Sequence, residues 1–176
     1  MCIRDSGYTY LEGLRWHDGR LWASDFYTGQ VIAVDLQGRV EVICRVLQQP
    51  SGLGWLPDGR LLISSMKDRK LLRRETDGTL SQHADLSALT GGPINDLVVD
   101  DQGRAYVGNF GFDLMAGEPF ATTTLVRVDT DGVAQVVADG LWFPNGSFIT
   151  PDGKTLIVNE TSVSYTHLTL PTTRIV

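Results

Sequence analysis

The chain has 176 residues, 42% of them hydrophobic and 20% charged, enough apolar content to bury a core of ordinary domain size. A net charge of −6 and a pI near 4.9 argue against a nucleic-acid partner, because phosphate binding needs a basic face. No run approaches the roughly 18 apolar residues of a membrane span. Residues 1–6 are too short and too polar for a signal peptide, so a cytoplasmic protein without a membrane partner is the expectation.

Taken in chain order, the sequence reads as one unit repeated. The first copy begins with Leu14–His17 (LRWH), turns at Asp18-Gly19 and continues as Leu21–Phe26 (LWASDF). A second turn at Thr28-Gly29, an alternating strand Val31–Asp35 and a third turn at Gln37-Gly38 follow. Only one cysteine, Cys44, lies in the repeating region, so no disulfide framework is implied. The second copy runs LGWL, Asp58-Gly59, LLISSM, with a later turn at Asp77-Gly78. The third runs LVVD, Gln102-Gly103, AYVGNF, then Leu125–Asp129 and Asp131-Gly132. The fourth runs SFIT, Asp152-Gly153, TLIVNE.

Apolar, β-branched and aromatic residues on either side of Asp-Gly are the strongest short-range hairpin signal. No window sustains a 3.6-residue apolar period, so a helical reading fails. Each complete copy therefore predicts four short antiparallel strands, the size of one propeller blade. The expected fold is all-β: a β-propeller fragment of about three and a half blades. A β-sandwich is the alternative, and the long-period recurrence favours the propeller. Residues 7–162 carry the pattern. Residues 1–6 and 163–176 read as translated sequencing adapter, with the fourth copy broken after its second strand.

Alignment on the hairpin turns puts one position of each copy in register, just ahead of its first strand. That position holds Glu12, Ser51, Asn95 and Asn145, six residues before Asp18 and seven before Asp58, Gln102 and Asp152. First strands line a propeller's central channel, so these residues converge near the axis. Oxygen donors with one carboxylate among them suit a hard divalent cation such as Ca²⁺ or Mg²⁺. Asn-Gly and Ser-Gly are also ordinary turn pairs. Glu12 has the weaker bland explanation, since a carboxylate facing a channel calls for a cation.

At LEGLRW, INDLVVDDQGRAYVGNFG and FPNGSFITPDGKTLIVNET the sequence resembles the family of regucalcin (senescence marker protein), gluconolactonases and luciferin-regenerating enzymes. The resemblance implies a six-bladed propeller of which about half is here. It also implies one divalent metal, with Ca²⁺ the first expectation and Mg²⁺, Mn²⁺ or Zn²⁺ admissible, and hydrolysis of a small-molecule lactone by metal-activated water. On this resemblance Glu12 and Asn145 are metal ligands, Asn95 contacts substrate, and Asp113 falls near a further substrate-contacting acid. The family's remaining ligand and general base is an Asp of a later blade; Asp58 and Asp152 sit in hairpin turns and do not supply it. The fragment alone is thus expected to be inactive. Animal sugar-lactone hydrolases carry an Arg where this chain has Pro93, which offers no donor, so the resemblance stops short of gluconolactone specificity. A non-catalytic binding platform and a strictosidine-synthase-like propeller are the rival readings, and Glu12 with Asn145 in register favours the metal-dependent hydrolase.

Overall fold

The computed structural model describes residues 7–161 and 166–169. Among these all regular structure is β, in four antiparallel sheets that follow chain order. The first comprises β1 (Leu11–His17), β2 (Arg20–Asp25), β3 (Gln30–Val34) and β4 (Val40–Arg45). The second comprises β5 (Pro50–Trp55), β6 (Leu61–Ser65), β7 (Lys70–Arg74) and β8 (Leu80–Asp85). The third comprises β9 (Ile94–Val99), β10 (Ala105–Asn109), β11 (Thr123–Val128) and β12 (Ala134–Leu141). The last holds β13 (Pro144–Ile149), β14 (Thr155–Glu160) and β15 (Thr166–Thr169).

Every strand pairs with its neighbour in sequence, the meander expected of Asp-Gly hairpins. The β1–β2 turn shows why the dipeptide matters. Asp18 and Gly19 both take positive φ, 49° and 70°, the pair of left-handed residues that a two-residue type I′ turn requires. The other first hairpins use a wider turn, in which a backbone pair closes around the glycine, as in Leu56 N–H to Arg60 O and Gly59 N–H to Leu56 O.

Packing decides between propeller and sandwich. A sandwich shares one core between two sheets; here each successive pair of sheets has its own. Trp22, Val31, Ala33 and Val46 meet Leu53, Leu61 and Ile63 between sheets 1 and 2. Leu62, Leu71 and Leu86 meet Ile94, Leu97, Val107 and Val126 between sheets 2 and 3. Tyr106, Leu125 and Leu141 meet Leu156 and Val158 between sheets 3 and 4. The first strands pack in series, β1 on β5, β5 on β9 and β9 on β13, so they form the inner wall of the arc. These sheets are propeller blades.

One element departs from the sequence reading. The fourth copy was expected to end after two strands, yet β15 pairs with β14 from Thr155↔Thr169 to Val158↔Thr166. Its Thr-rich, β-branched composition is strand-competent, and β14 offers it an open edge. The rest of the segments set aside as adapter, 1–6, 163–165 and 170–176, lies outside the described residues.

Candidate functional site at the blade starts

The start of each first strand and the end of each second strand lie at the same end of a blade, because the two are antiparallel. Their pairing is the same in all four: Leu11↔Asp25, Pro50↔Ser65, Ile94↔Asn109 and Pro144↔Glu160. A second repeat tightens it. The backbone N–H groups of Phe26, Met66, Phe110 and Thr161 donate to the carbonyls of Tyr10, Gln49, Pro93 and Phe143 at 2.9, 2.9, 2.9 and 3.0 Å. Glu12, Ser51, Asn95 and Asn145 each stand two residues beyond one of those carbonyls, so the four occupy equivalent places in space as well as in sequence.

Each of the four also sits at a β-bulge, where the first strand slips register before rejoining its partner. A bulge re-aims side chains that a regular strand would bury in the sheet. The residue after it allows neighbouring blades to approach. A side chain at Gly13 would place its Cβ 2.3 Å from the Ser51 carbonyl oxygen, and one at Gly52 would come within 2.5 Å of the Leu97 nitrogen. Backbone meets backbone there, and only glycine fits.

The four residues differ in how firmly they are held. Ser51 is fully buried and its Oγ donates to Asn95 Oδ1 at 3.0 Å; Asn95 is 4% exposed. With its oxygen engaged, Asn95 keeps its amide N–H groups to offer. Asn145 is only partly covered, and its Nδ2 donates to Thr161 Oγ1 at 3.3 Å, leaving the amide oxygen as the group available to a cation. Half-burial raises the Glu12 carboxyl above the usual carboxylate range, and the nearby Asp96 charge raises it further, against hydrogen bonds from the Gly13 N–H and Tyr10. An anion raised by a second anion is a place where a cation relieves both.

Asp113 lies apart from this group, beyond β10. Its Oδ1 accepts from the Met115 and Ala116 N–H groups at 2.9 and 3.0 Å, capping its own loop. It also lines a cavity of about 230 Å³ at the same end of the blades, with Phe26, Met66, Pro93, Phe110 and Lys67 among its walls. The hairpin acids are spent elsewhere. Asp58 bonds Arg60 and Asp152 bonds Thr150 and Lys154, at the far end of their strands from the blade starts. His17 stacks on Trp55 at 3.9 Å between ring centroids, and half-buried His83 is near Arg73.

Sequence reasoning missed Asp96. It is 6% exposed, and its Oδ1 accepts from Arg15 Nη2 at 2.7 Å, across blades. The available signal was its place in the register, where the other three copies carry Gly13, Gly52 and Gly146. Also missed was a ring of buried polar residues at the second-strand ends, Asp25, Ser65, Asn109 and Glu160, of which Asp25, Ser65 and Asn109 bond their own loops. They secure the mouth rather than line it.

Among the described residues no group of three or more His, Cys, Asp or Glu side chains is disposed to hold a metal ion. A cation at the blade starts would combine the Glu12 carboxylate with the Asn145 amide oxygen, donors that fit hard divalent ions.

Fold and site together define a β-propeller with a polar, partly anionic channel mouth. The chain belongs to the family described as the SMP-30/gluconolactonase/LRE-like region, whose profile covers residues 11–167. A pentonolactonase of Haloferax volcanii is 29% identical over 163 residues, which is 90% of this chain and 52% of that protein. Two solved structures share the fold. A gluconolactonase from Xanthomonas campestris has a TM-score of 0.76 at 24% identity, covering 93% of this chain and 59% of that one. A calcium-binding regucalcin from Agrobacterium tumefaciens has a TM-score of 0.77 at 24% identity, covering 97% and 59%. The chain thus spans about half the length of the relatives it matches. Among the described residues no helix is long and apolar enough to cross a membrane.

Proposed function

We propose that this chain is part of a lactone hydrolase that depends on a divalent metal, with its site at the mouth of the propeller channel. The observation that carries this reading is the shared position of Glu12, Ser51, Asn95 and Asn145, each two residues past an equivalent backbone hydrogen bond and each on a bulge. Glu12 and Asn145 are assigned as ligands for the cation, with Ca²⁺ preferred. A cation bound there would act as a Lewis acid toward an ester carbonyl and acidify a water molecule.

The chain's own residues supply the rest. Asn95, its oxygen fixed by Ser51, presents its amide N–H groups to a substrate oxygen. The cavity flanked by Phe26, Met66, Pro93 and Phe110 is of a size for a small ring and keeps water from one side of it. Asp113, on the same cavity, is assigned to substrate contact. Pro93 gives no donor where an arginine fork would grip several hydroxyls, so the preferred lactone is less hydroxylated than gluconolactone. The third ligand, which is also the general base, is assigned to a blade beyond this chain, and the isolated chain is expected to be inactive.

The test is a panel of lactones hydrolysed by the full-length protein with and without chelator. Activity that disappears with chelator and returns with Ca²⁺, and that is lost in Glu12→Gln, supports the reading. Activity indifferent to both overturns it.

A further inference from the structure

The channel contains an ion pair that neither the repeat nor the assignment above uses. Arg15 lies on β1, three residues past Glu12, and its guanidinium reaches across to β9. Nη2 donates to Asp96 Oδ1 and to the Leu97 carbonyl, both at 2.7 Å, while Nη1 donates to the Leu14 carbonyl of its own strand at 2.9 Å. One planar group thereby ties the bulge beside Glu12 to the bulge beside Asn95. Asp96 also faces the fourth blade: its Oδ2 is the one atom within 4 Å of where a Cβ on Gly146 would stand, next to Asn145. Asp96 is thus a buried carboxylate that follows Asn95 in sequence, acts on the charge of Glu12 and borders Gly146 beside Asn145.

We propose that Arg15 and Asp96 are a positioning pair, an inter-blade strut that sets Glu12, Asn95 and Asn145 relative to one another; its effect on metal binding rests on the function proposed above. Asp96 stands where the other copies have glycine, so its carboxylate enters the inner wall at a point of close backbone approach. A buried carboxylate with no partner would repel Glu12 and solvate itself by pushing the first strands apart. Arg15 removes that outcome. One nitrogen, Nη2, engages both the carboxylate and a main-chain carbonyl of the same strand, so a compact cation of the same reach can reproduce most of the contact. The pair acts on the ligands through the strands that carry them, and outer partners that orient ligands commonly alter metal affinity by about 10- to 100-fold.

The strut is tested in the full-length protein with Arg15→Met, Arg15→Lys, Asp96→Asn and the double variant Arg15→Met/Asp96→Asn. Two readouts are needed. The first is the side-chain amide resonances of Asn95 and Asn145 in metal-free protein; the second is Ca²⁺ affinity by calorimetry. Arg15→Met and Asp96→Asn are each expected to move the Asn95 resonances and weaken Ca²⁺ by about 10-fold or more. The double variant should lose no more than the worse single one, since the two residues act as a unit. Arg15→Lys, which keeps the charge, should recover most of the loss. A variant that lowers the melting temperature but leaves resonances and affinity at wild-type values shows a merely structural pair and overturns the proposal. If Arg15→Met fails to fold, Arg15→Lys and Asp96→Asn carry the same comparison. If wild type binds no Ca²⁺, the metal reading falls, and the amide resonances alone decide the strut: moved, it stands; unmoved, it fails.

Discussion

Blades 2 and 3 differ from blades 1 and 4 although all four are written in the same pattern. In β5 and β9 most residues are buried; in β1 and β13 one residue of each strand is. Trp16 on β1 is 60% exposed and Phe148 on β13 is 57% exposed. The strand pattern is therefore necessary for a blade but does not bury it. Burial comes from a neighbour on each side, which only the inner two blades have within this chain. The same division runs through the site. Ser51 and Asn95, on inner blades, are locked together, whereas Glu12 and Asn145, on the flanking blades, are only partly covered.

The largest effect that separates the two regions is a core truncation. Leu97→Ala removes a fully buried side chain between blades 2 and 3 and should cost about 2–5 kcal/mol. Leu14→Ala, on the exposed face of blade 1, should stay within about 0.5 kcal/mol. Urea titration of both variants reads the difference, and equal losses would show that the flanking blade is already covered.

A smaller contrast lies at the glycines of the register. Gly52→Ala pushes a methyl into the Asp96–Leu97 backbone and should cost about 1–3 kcal/mol. Gly146→Ala meets nothing closer than 3.9 Å and should change stability by less than about 0.5 kcal/mol. Thermal midpoints of the pair measure how much tighter the inner wall is at blade 2 than at blade 4.

The smallest contrast is electrostatic. On blade 2, hydrogen bonds from Ser81, Arg73 and Arg60 hold the Glu75 carboxyl down at about 2, against an ordinary 4.5. A depressed carboxyl stabilises the fold above its unfolded value, and that contribution is lost as pH falls from about 4.5 toward 2. Glu75→Gln should accordingly flatten the acid arm of the stability profile. Asp152→Asn on blade 4, where only Thr150 and Lys154 hold the carboxyl low, should flatten it less.

These contrasts also mark where sequence was readable. The hairpin turns announced themselves, because each first hairpin places Gly19, Gly59, Gly103 or Gly153 at positive φ, which few other residues accept. The register of Glu12, Ser51, Asn95 and Asn145 followed from those turns, since strand length is nearly constant from copy to copy. The pairing of Arg15 with Asp96 was not readable, although the register marked Asp96 as the one non-glycine at its place. The two are 81 residues apart, and nothing local in LEGLRW or INDL marks a contact that exists only once three blades curve around an axis. The third strand of the last blade was missed for the opposite reason: composition argued for a foreign tail, while strand pairing needs only β-competent residues beside an open edge.

If the blade-start register builds a cation site around Glu12, the melting temperatures of full-length wild type and Glu12→Gln, each in chelator and in Ca²⁺, will show it. Ca²⁺ at a hundredfold excess over its Kd should stabilise wild type by about 2.7 kcal/mol. Glu12→Gln should melt slightly above wild type in chelator, because it removes a half-buried carboxylate that Asp96 repels, and should gain nothing from Ca²⁺. A Glu12→Gln protein that keeps the wild-type Ca²⁺ shift would show that Glu12 holds no cation.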